Sequence, residues 1–189
     1  MSLDRPRVAV FVGLSVDGYI AGPDDELAWL DEASAGAEGE DHGYDAFMKG
    51  VDAVLLGRRT YEVVVGFPSW PYGGRRVIVA SRSLPPTGDG RPGSVQVTPE
   101  APAPLLKRLR REGVRKVYLD GGRLITAYLE AGLVDELTLT RLPILLGDGL
   151  PLFGRMRRRV RLRHAGTRTF ASGLVQSRYD VVRREGPTR

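Results

Sequence analysis

Ala53-Val54-Leu55-Leu56-Gly57-Arg58-Arg59-Thr60-Tyr61-Glu62 is the stretch on which the fold turns. Its apolar run, Val54 to Leu56, does not alternate, which suits a strand buried on both faces of a sheet. The run breaks at Gly57, where the backbone can bend and approach a ligand closely. Two arginines follow, and Thr60 is placed to cap a short helix over Tyr61 to Val65. A strand that ends in glycine and feeds a helix start offers free N–H groups and a partial positive charge, and so a seat for phosphate.

The same pattern recurs outward from this stretch. Val8 to Val12 reads as a strand and runs into the glycine-rich loop Gly13-Leu14-Ser15-Val16-Asp17-Gly18-Tyr19-Ile20-Ala21-Gly22-Pro23. Ala33 to Gly43 is acidic and small-residue rich, a loop or lid, after which Tyr44, Phe47 and Met48 at helical spacing predict one short helix ended by Gly50. Val77 to Ala80 is a second buried strand leading to Ser81-Arg82-Ser83, and Pro85 to Gly93 is turn-rich. Val95 and Val97 mark a brief strand. Leu105, Leu106 and Leu109 form the apolar stripe of a helix that Gly113 terminates. Lys116 to Asp120 is a strand, Gly121-Gly122 a tight turn, and Leu124, Ile125, Tyr128 and Leu129 a helix closing at Gly132. Leu137 to Leu142, Val160 to Arg163 and Val175 to Val182 complete the set as strands, the last two antiparallel at one edge. The order predicts an α/β fold: a central, mostly parallel sheet with helices on both faces and an antiparallel C-terminal edge, in one domain over residues 1–189.

Composition narrows the classes. The chain has 189 residues, 42% of them apolar, enough for one sizeable core. No apolar run is long enough to span a bilayer, and no signal-peptide pattern opens the chain. With no cysteine, disulfides, thiolate metal sites and cysteine nucleophiles are excluded; no metal is expected, and a cytoplasmic location fits best. The net charge of +5 comes almost entirely from arginine, which binds phosphate in a fork, although a general arginine bias with solvated side chains accounts for most of it. The run Arg155 to Arg163 offers a nucleic-acid surface, but no aromatics interleave with it and no nucleic-acid motif accompanies it.

Three strand ends are alike: Gly57 with Arg58 and Arg59, Ser81 with Arg82, and Gly121 with Gly122. Ligands of open α/β sheets bind beyond such ends. Three of them in line suit a long phosphate-bearing molecule, a dinucleotide, while the G-x-G-x-x-G fingerprint of an ordinary Rossmann domain is missing.

These residues resemble the dihydrofolate reductase superfamily, and within it the reductase domain of bacterial riboflavin biosynthesis. Leu14 to Gly22 resembles the family's first strand and flexible loop, Leu56-Gly57-Arg58-Arg59-Thr60-Tyr61-Glu62 its cofactor turn, Asp120-Gly121-Gly122-Arg123 its glycine pair, and Leu139-Thr140-Arg141-Leu142 a strand beside the substrate. The resemblance implies a three-layer sandwich, a homodimer and NADPH. Gly13 and Ile20 would hold the nicotinamide through their backbones. Gly57, Arg58, Arg59 and Thr60 would take phosphates, Ser81 and Arg82 the adenosine 2′-phosphate, and Gly121, Gly122, Arg123 and Leu124 the pyrophosphate. It implies a small heterocyclic substrate near Trp29, Phe47 and Thr140, with Asp41 or Asp17 as the acid; Asp45 and His42 are alternatives to Asp41 as the proton source.

The expected activity is hydride transfer from NADPH to a pterin- or ribosylaminopyrimidine-like molecule, as in a 5-amino-6-(5-phosphoribosylamino)uracil reductase. The alternatives are dihydrofolate reductase proper or a nucleotide-binding module without turnover, with nucleic-acid binding behind both. Tyr19 stands where the riboflavin branch usually has a basic residue, and the long acidic insert is foreign to dihydrofolate reductases. The cofactor half therefore matches better than the substrate half.

Overall fold

Ala53, Val54, Leu55 and Leu56 are completely buried. They form β3 (Ala53–Gly57), which is flanked on both sides in an eight-stranded sheet and covered on both faces. The structure, a computed structural model, describes residues 4–33, 40–85 and 95–183. The centres of the acidic loop and of the turn-rich stretch before Val95 lie outside the described residues.

In chain order the elements are β1 (Arg7–Leu14), β2 (Tyr19–Ala21), α1 (Ala28–Ala33), α2 (Tyr44–Lys49), β3, α3 (Arg58–Val65), β4 (Arg76–Ala80), β5 (Val95–Thr98), α4 (Pro102–Arg111), β6 (Lys116–Asp120), α5 (Gly122–Glu130), β7 (Glu136–Arg141), β8 (Leu150–Pro151), β9 (Leu162–Thr169) and β10 (Val175–Val181). The sheet order is β5-β4-β3-β6-β1-β7-β10-β9. The first six strands of that order are mutually parallel, and β10 and β9 add an antiparallel edge beyond β7. This is the three-layer arrangement expected.

Strand alternation divides the core in two. Val8, Val10, Ala53, Leu55, Ile78, Val117 and Leu119 pack against α4 and α5 through Leu105, Leu106, Leu109, Ile125, Tyr128 and Leu129. Val54, Leu56, Val77, Val79 and Tyr118 point the other way, onto Met48 of α2 and Tyr61 and Val64 of α3. Residues one apart on a strand face opposite sides, so runs without polar breaks serve both layers at once.

Three boundaries differ from the sequence expectation. Helix α3 begins at Arg58 with Gly57 as its N-cap, so Thr60 sits inside the first turn and does not cap it. The apolar face starts only at Tyr61, and the arginines, good helix formers, extend the helix by a solvent-facing turn. Strand β9 begins at Leu162; the preceding arginines are irregular, and Val160 packs on the core from that irregular segment. The two-stranded ribbon of β2 and β8 was not expected, being three and two residues long and paired across most of the chain. No helix among the described residues is long and apolar enough to cross a membrane.

The parallel half is tied to the antiparallel edge by Asp135, just before β7. Its carboxylate accepts from Arg5 at 2.7 and 3.0 Å, from the Val8 N–H at 2.8 Å and from Arg183 at 2.6 Å. Burial pushes this carboxyl up, but the bonds from Arg5, Arg183 and Val8 outweigh it and hold it below its usual value. A depressed carboxyl stabilises the fold above its unfolded pKa and loses that contribution as pH falls through the folded one. Asp135→Ala, which leaves the largely buried Arg5 guanidinium without a carboxylate, should cost about 3 kcal/mol in urea denaturation at pH 7. The deficit should shrink as the pH is lowered below about 4.

Candidate active site

Helices α3 and α5 start on opposite faces of the sheet, yet their first turns meet. Gly57 and Gly121 are the two N-caps, and no side chain caps either helix. Gly121 has φ +105°, and a Cβ there would collide with the Thr60 hydroxyl. At Gly122 a Cβ would lie 2.9 Å from the Pro151 carbonyl oxygen and 3.0 Å from that of Leu152, so the β2–β8 ribbon closes directly on the start of α5. Gly121 is required by its positive φ and by the Thr60 side chain, and Gly122 by the close approach of backbone carbonyls, whatever ligand is bound.

Beyond the C-terminal ends of β1, β3, β4 and β6 this junction opens into a cleft of about 800 Å³, within the size range of small-molecule sites. One end is formed by the first turns of α3 and α5. There Gly57, Arg58, Arg59, Thr60, Gly121, Gly122, Arg123 and Leu124 all line the cleft, with Gly13 and Ile20 beside them. Each first turn presents unsatisfied N–H groups and the positive end of its helix. Arg58 pairs with Glu62 at 2.7 Å and donates to the Ser83 hydroxyl at 2.9 Å, and Arg59 pairs with Asp25. These pairs are half exposed, so an incoming phosphate can compete for the guanidinium groups.

The other end is aromatic. Phe11 of β1, Tyr44 of α2, Tyr118 of β6 and Tyr72 line it, with Phe67 and Pro71. The Phe11 and Tyr44 rings meet edge-on at 5.6 Å between centroids, and Tyr44 and Tyr118 at 6.3 Å. The Tyr118 hydroxyl donates to the Phe11 carbonyl at 3.0 Å. Asp120 stands among these rings at the tip of β6, one of its oxygens accepting from the Gly121 N–H at 2.8 Å. Desolvation raises its carboxyl above the ordinary value; hydrogen bonding from the Gly121 N–H and the Tyr118 hydroxyl pulls the other way and does not cancel it. Asp120 electrostatically opposes ionisation of Tyr44, Tyr72 and Tyr118 as well.

Five of the residues expected at the substrate end lie elsewhere. Asp41 accepts from the Gly43 and Asp45 N–H groups at 2.9 and 2.8 Å and fastens the first turn of α2. Asp17 accepts from the Ser15 hydroxyl and from the Leu146 and Gly147 N–H groups, pinning the β1–β2 turn to the loop after β7. Both carboxyls are lowered by those bonds, the state of an anchor, not of a proton donor. Trp29 is buried with Leu142, Phe170 and Leu174, while its neighbours Leu27 and Leu30 reach the cleft. Thr140 is buried and bonded to Gln176 at 2.9 Å. Phe47 lies one turn too deep: it packs beneath Phe11 and Tyr118 with Lys116, the first residue of β6, over its ring, whereas Tyr44 at the start of α2 faces the cleft. The two alternative proton sources also lie off the cleft lining, His42 with its ring against Phe170. Ser81 spends its hydroxyl on the Ser83 and Leu84 N–H groups, and Arg82 is an exposed side chain on the turn that Arg58 touches through Ser83.

The profile of the RibD C-terminal domain matches residues 6–176. The chain belongs to that family. It is 34% identical to the uncharacterized protein YwjB of Bacillus subtilis, over 89% of this chain and 94% of YwjB. A crystal structure of a candidate riboflavin biosynthesis protein from Shewanella sp. PV-4 superposes with a TM-score of 0.87 at 32% identity, covering 94% of this chain and 99% of that one. The riboflavin biosynthesis protein RibD of Corynebacterium ammoniagenes is 28% identical over 79% of this chain, which spans 47% of that longer protein. Membership of the RibD family supports a reductase-like function.

Asp120, absent from the expected acids, is the carboxyl that this RibD-type cleft encloses. A signal was available: it follows Tyr118 by two on the strand and so shares a face with that ring. Because its folded pKa is raised, Asp120 costs stability once the pH rises above its unfolded value near 4, and most at neutral pH. Asp120→Asn is therefore expected to raise Tm by about 2–4 °C at pH 7, with the gain fading as the pH approaches 4, read by thermal melts across the pH series.

Proposed function

We propose that the protein is an NADPH-dependent reductase of the riboflavin-biosynthesis type, transferring a hydride to a pterin- or ribosylaminopyrimidine-like small molecule. The observation that carries this is the meeting of two helix N-termini without side-chain caps at one end of a cleft whose other end holds an enclosed carboxyl. Neighbouring dipoles and paired N–H rows favour a pyrophosphate. Arg58 and Arg59 would exchange Glu62 and Asp25 for phosphate oxygens, and Arg82, with no partner among the described residues, would take the adenosine 2′-phosphate.

When bound, the reduced nicotinamide supplies the hydride. Gly13 and Ile20 would orient its ring through their backbones, and the apolar side chains of Ile20, Leu27 and Leu30 exclude water from the reacting face. Asp120, whose carboxyl burial pushes above its ordinary value, would give a proton to the nitrogen of the substrate C=N bond and recover one from solvent. The aromatic walls align the acceptor.

We place the reductase in the cytoplasm and expect a homodimer. In support, β9 forms a sheet edge with nearly every residue exposed, and such edges are normally covered.

Titration of NADPH by its fluorescence is expected to saturate; no binding at about 1 mM would overturn the cofactor assignment. Arg82→Ala should weaken NADPH about tenfold and leave NADH unchanged, the signature of a lost 2′-phosphate contact. NADPH oxidation with pterins and ribosylaminopyrimidines separates a reductase from a module that merely binds nucleotide.

A further inference from the structure

The cleft divides sharply by charge. Among the described residues its cationic side chains are Arg58, Arg59 and Arg123, and all three stand in the first turns of α3 and α5. The opposite end presents Phe11, Tyr44, Phe67, Tyr72 and Tyr118 around one acid, Asp120. Arg75 acts electrostatically on Tyr44 but donates to the Met48 carbonyl and does not line the cleft.

A phosphate at that end would meet aromatic walls and a carboxyl, with no cation to pair with. Burying a dianion without a partner is severely unfavourable. The hydroxyls of Tyr44 and Tyr72 make no hydrogen bond to another described residue, while that of Tyr118 is engaged by the Phe11 carbonyl and by Asp120. Burial pushes Tyr44 up to about 12 and raises Tyr72 and Tyr118 as well, so all three remain neutral hydroxyls across the physiological range. Two donors and an acid facing aromatic surfaces match the edge of a nitrogen-bearing ring, and the ring faces match its plane.

We infer that the substrate is a flat, nitrogen-containing heteroaromatic molecule without a phosphate group, seated against Phe11, Tyr44, Tyr72 and Tyr118 with a ring nitrogen toward Asp120. This rests on the reductase reading and narrows it, setting the protein apart from a reductase of phosphoribosylated pyrimidines. Electron-poor rings gain most from such walls, because their faces complement the negative faces of tyrosine and phenylalanine.

Calorimetry on the full chain saturated with NADP+ tests this with three probes: unsubstituted pterin, 5-amino-6-ribosylaminouracil and the 5′-phosphate of the latter. Pterin is expected to bind, and removing the phosphate should change the affinity of the uracil compound by less than about threefold. Asp120→Asn and Tyr72→Phe should each weaken pterin by about tenfold, the second keeping the aromatic wall intact. A 5′-phosphate that tightens binding by about tenfold or more would overturn the inference, as would pterin failing to bind at about 1 mM. The parallel NADPH titration separates the two claims. Cofactor binding without pterin binding sinks this inference alone, and pterin binding without cofactor binding sinks the reductase reading.

Discussion

The structure depends on the backbone contact at Gly121 and Gly122. Here the start of α5 touches the Thr60 hydroxyl of α3 on one side and the carbonyls of Pro151 and Leu152 on the other. Neither glycine has room for a Cβ. That contact brings together two helix starts that approach from opposite faces of the sheet, and it seats the β2–β8 ribbon that carries Ile20 and Leu150 to the cleft. A single α/β crossover offers one positive helix end; the double-glycine turn produces two within reach of one ligand. Anion affinity therefore follows from close packing before any arginine is counted.

The arginines then modulate what the backbone provides. Arg58 and Arg59 are each engaged by an acid at the cleft rim, so the apo cleft is not a bare cationic funnel. Exposed pairs of this kind contribute at most about 1 kcal/mol, and exchanging carboxylate for phosphate costs little. Asp25 comes from the segment between β2 and α1, so its pairing with Arg59 fastens that segment beside the cofactor end. A ligand that drew Arg59 away from Asp25 would release that segment.

Much of this was legible in the chain. Uninterrupted apolar strands, each ending at glycine or serine, revealed the parallel sheet, and the motifs at Gly57 and Gly121 located the end of the cleft made by helix starts. Where reading failed, the cause was distance or range. The β2–β8 ribbon is too short to show a period and pairs residues far apart in sequence. Asp17 and Asp41 look like candidate acids, yet each is satisfied by N–H groups that only the folded loops present. Trp29 lies one residue from Leu30, which lines the cleft, because a helix turns neighbours by about 100°, and Phe47 lies one turn along α2 from Tyr44, because the pattern alone does not fix which turn reaches the cleft. Asp120 stood beside a quoted glycine pair, but its character comes from Tyr44 and Tyr72, separated from it by 76 and 48 residues of sequence numbering.

Asp120 also explains why the two halves of the cleft diverge. The end at the two helix starts is built largely from backbone groups, which any sequence keeping the turn geometry supplies. The substrate end is built from side chains on β1, α2, β6 and the segment after α3, and each can change without disturbing the sheet. An acid enclosed by aromatic rings destabilises the native state at neutral pH, and folding alone gives no reason to keep it. Its environment opposes its charge, the arrangement by which proton donors are tuned. A stability penalty borne beside a ligand cradle is the physical ground for placing the chemistry there.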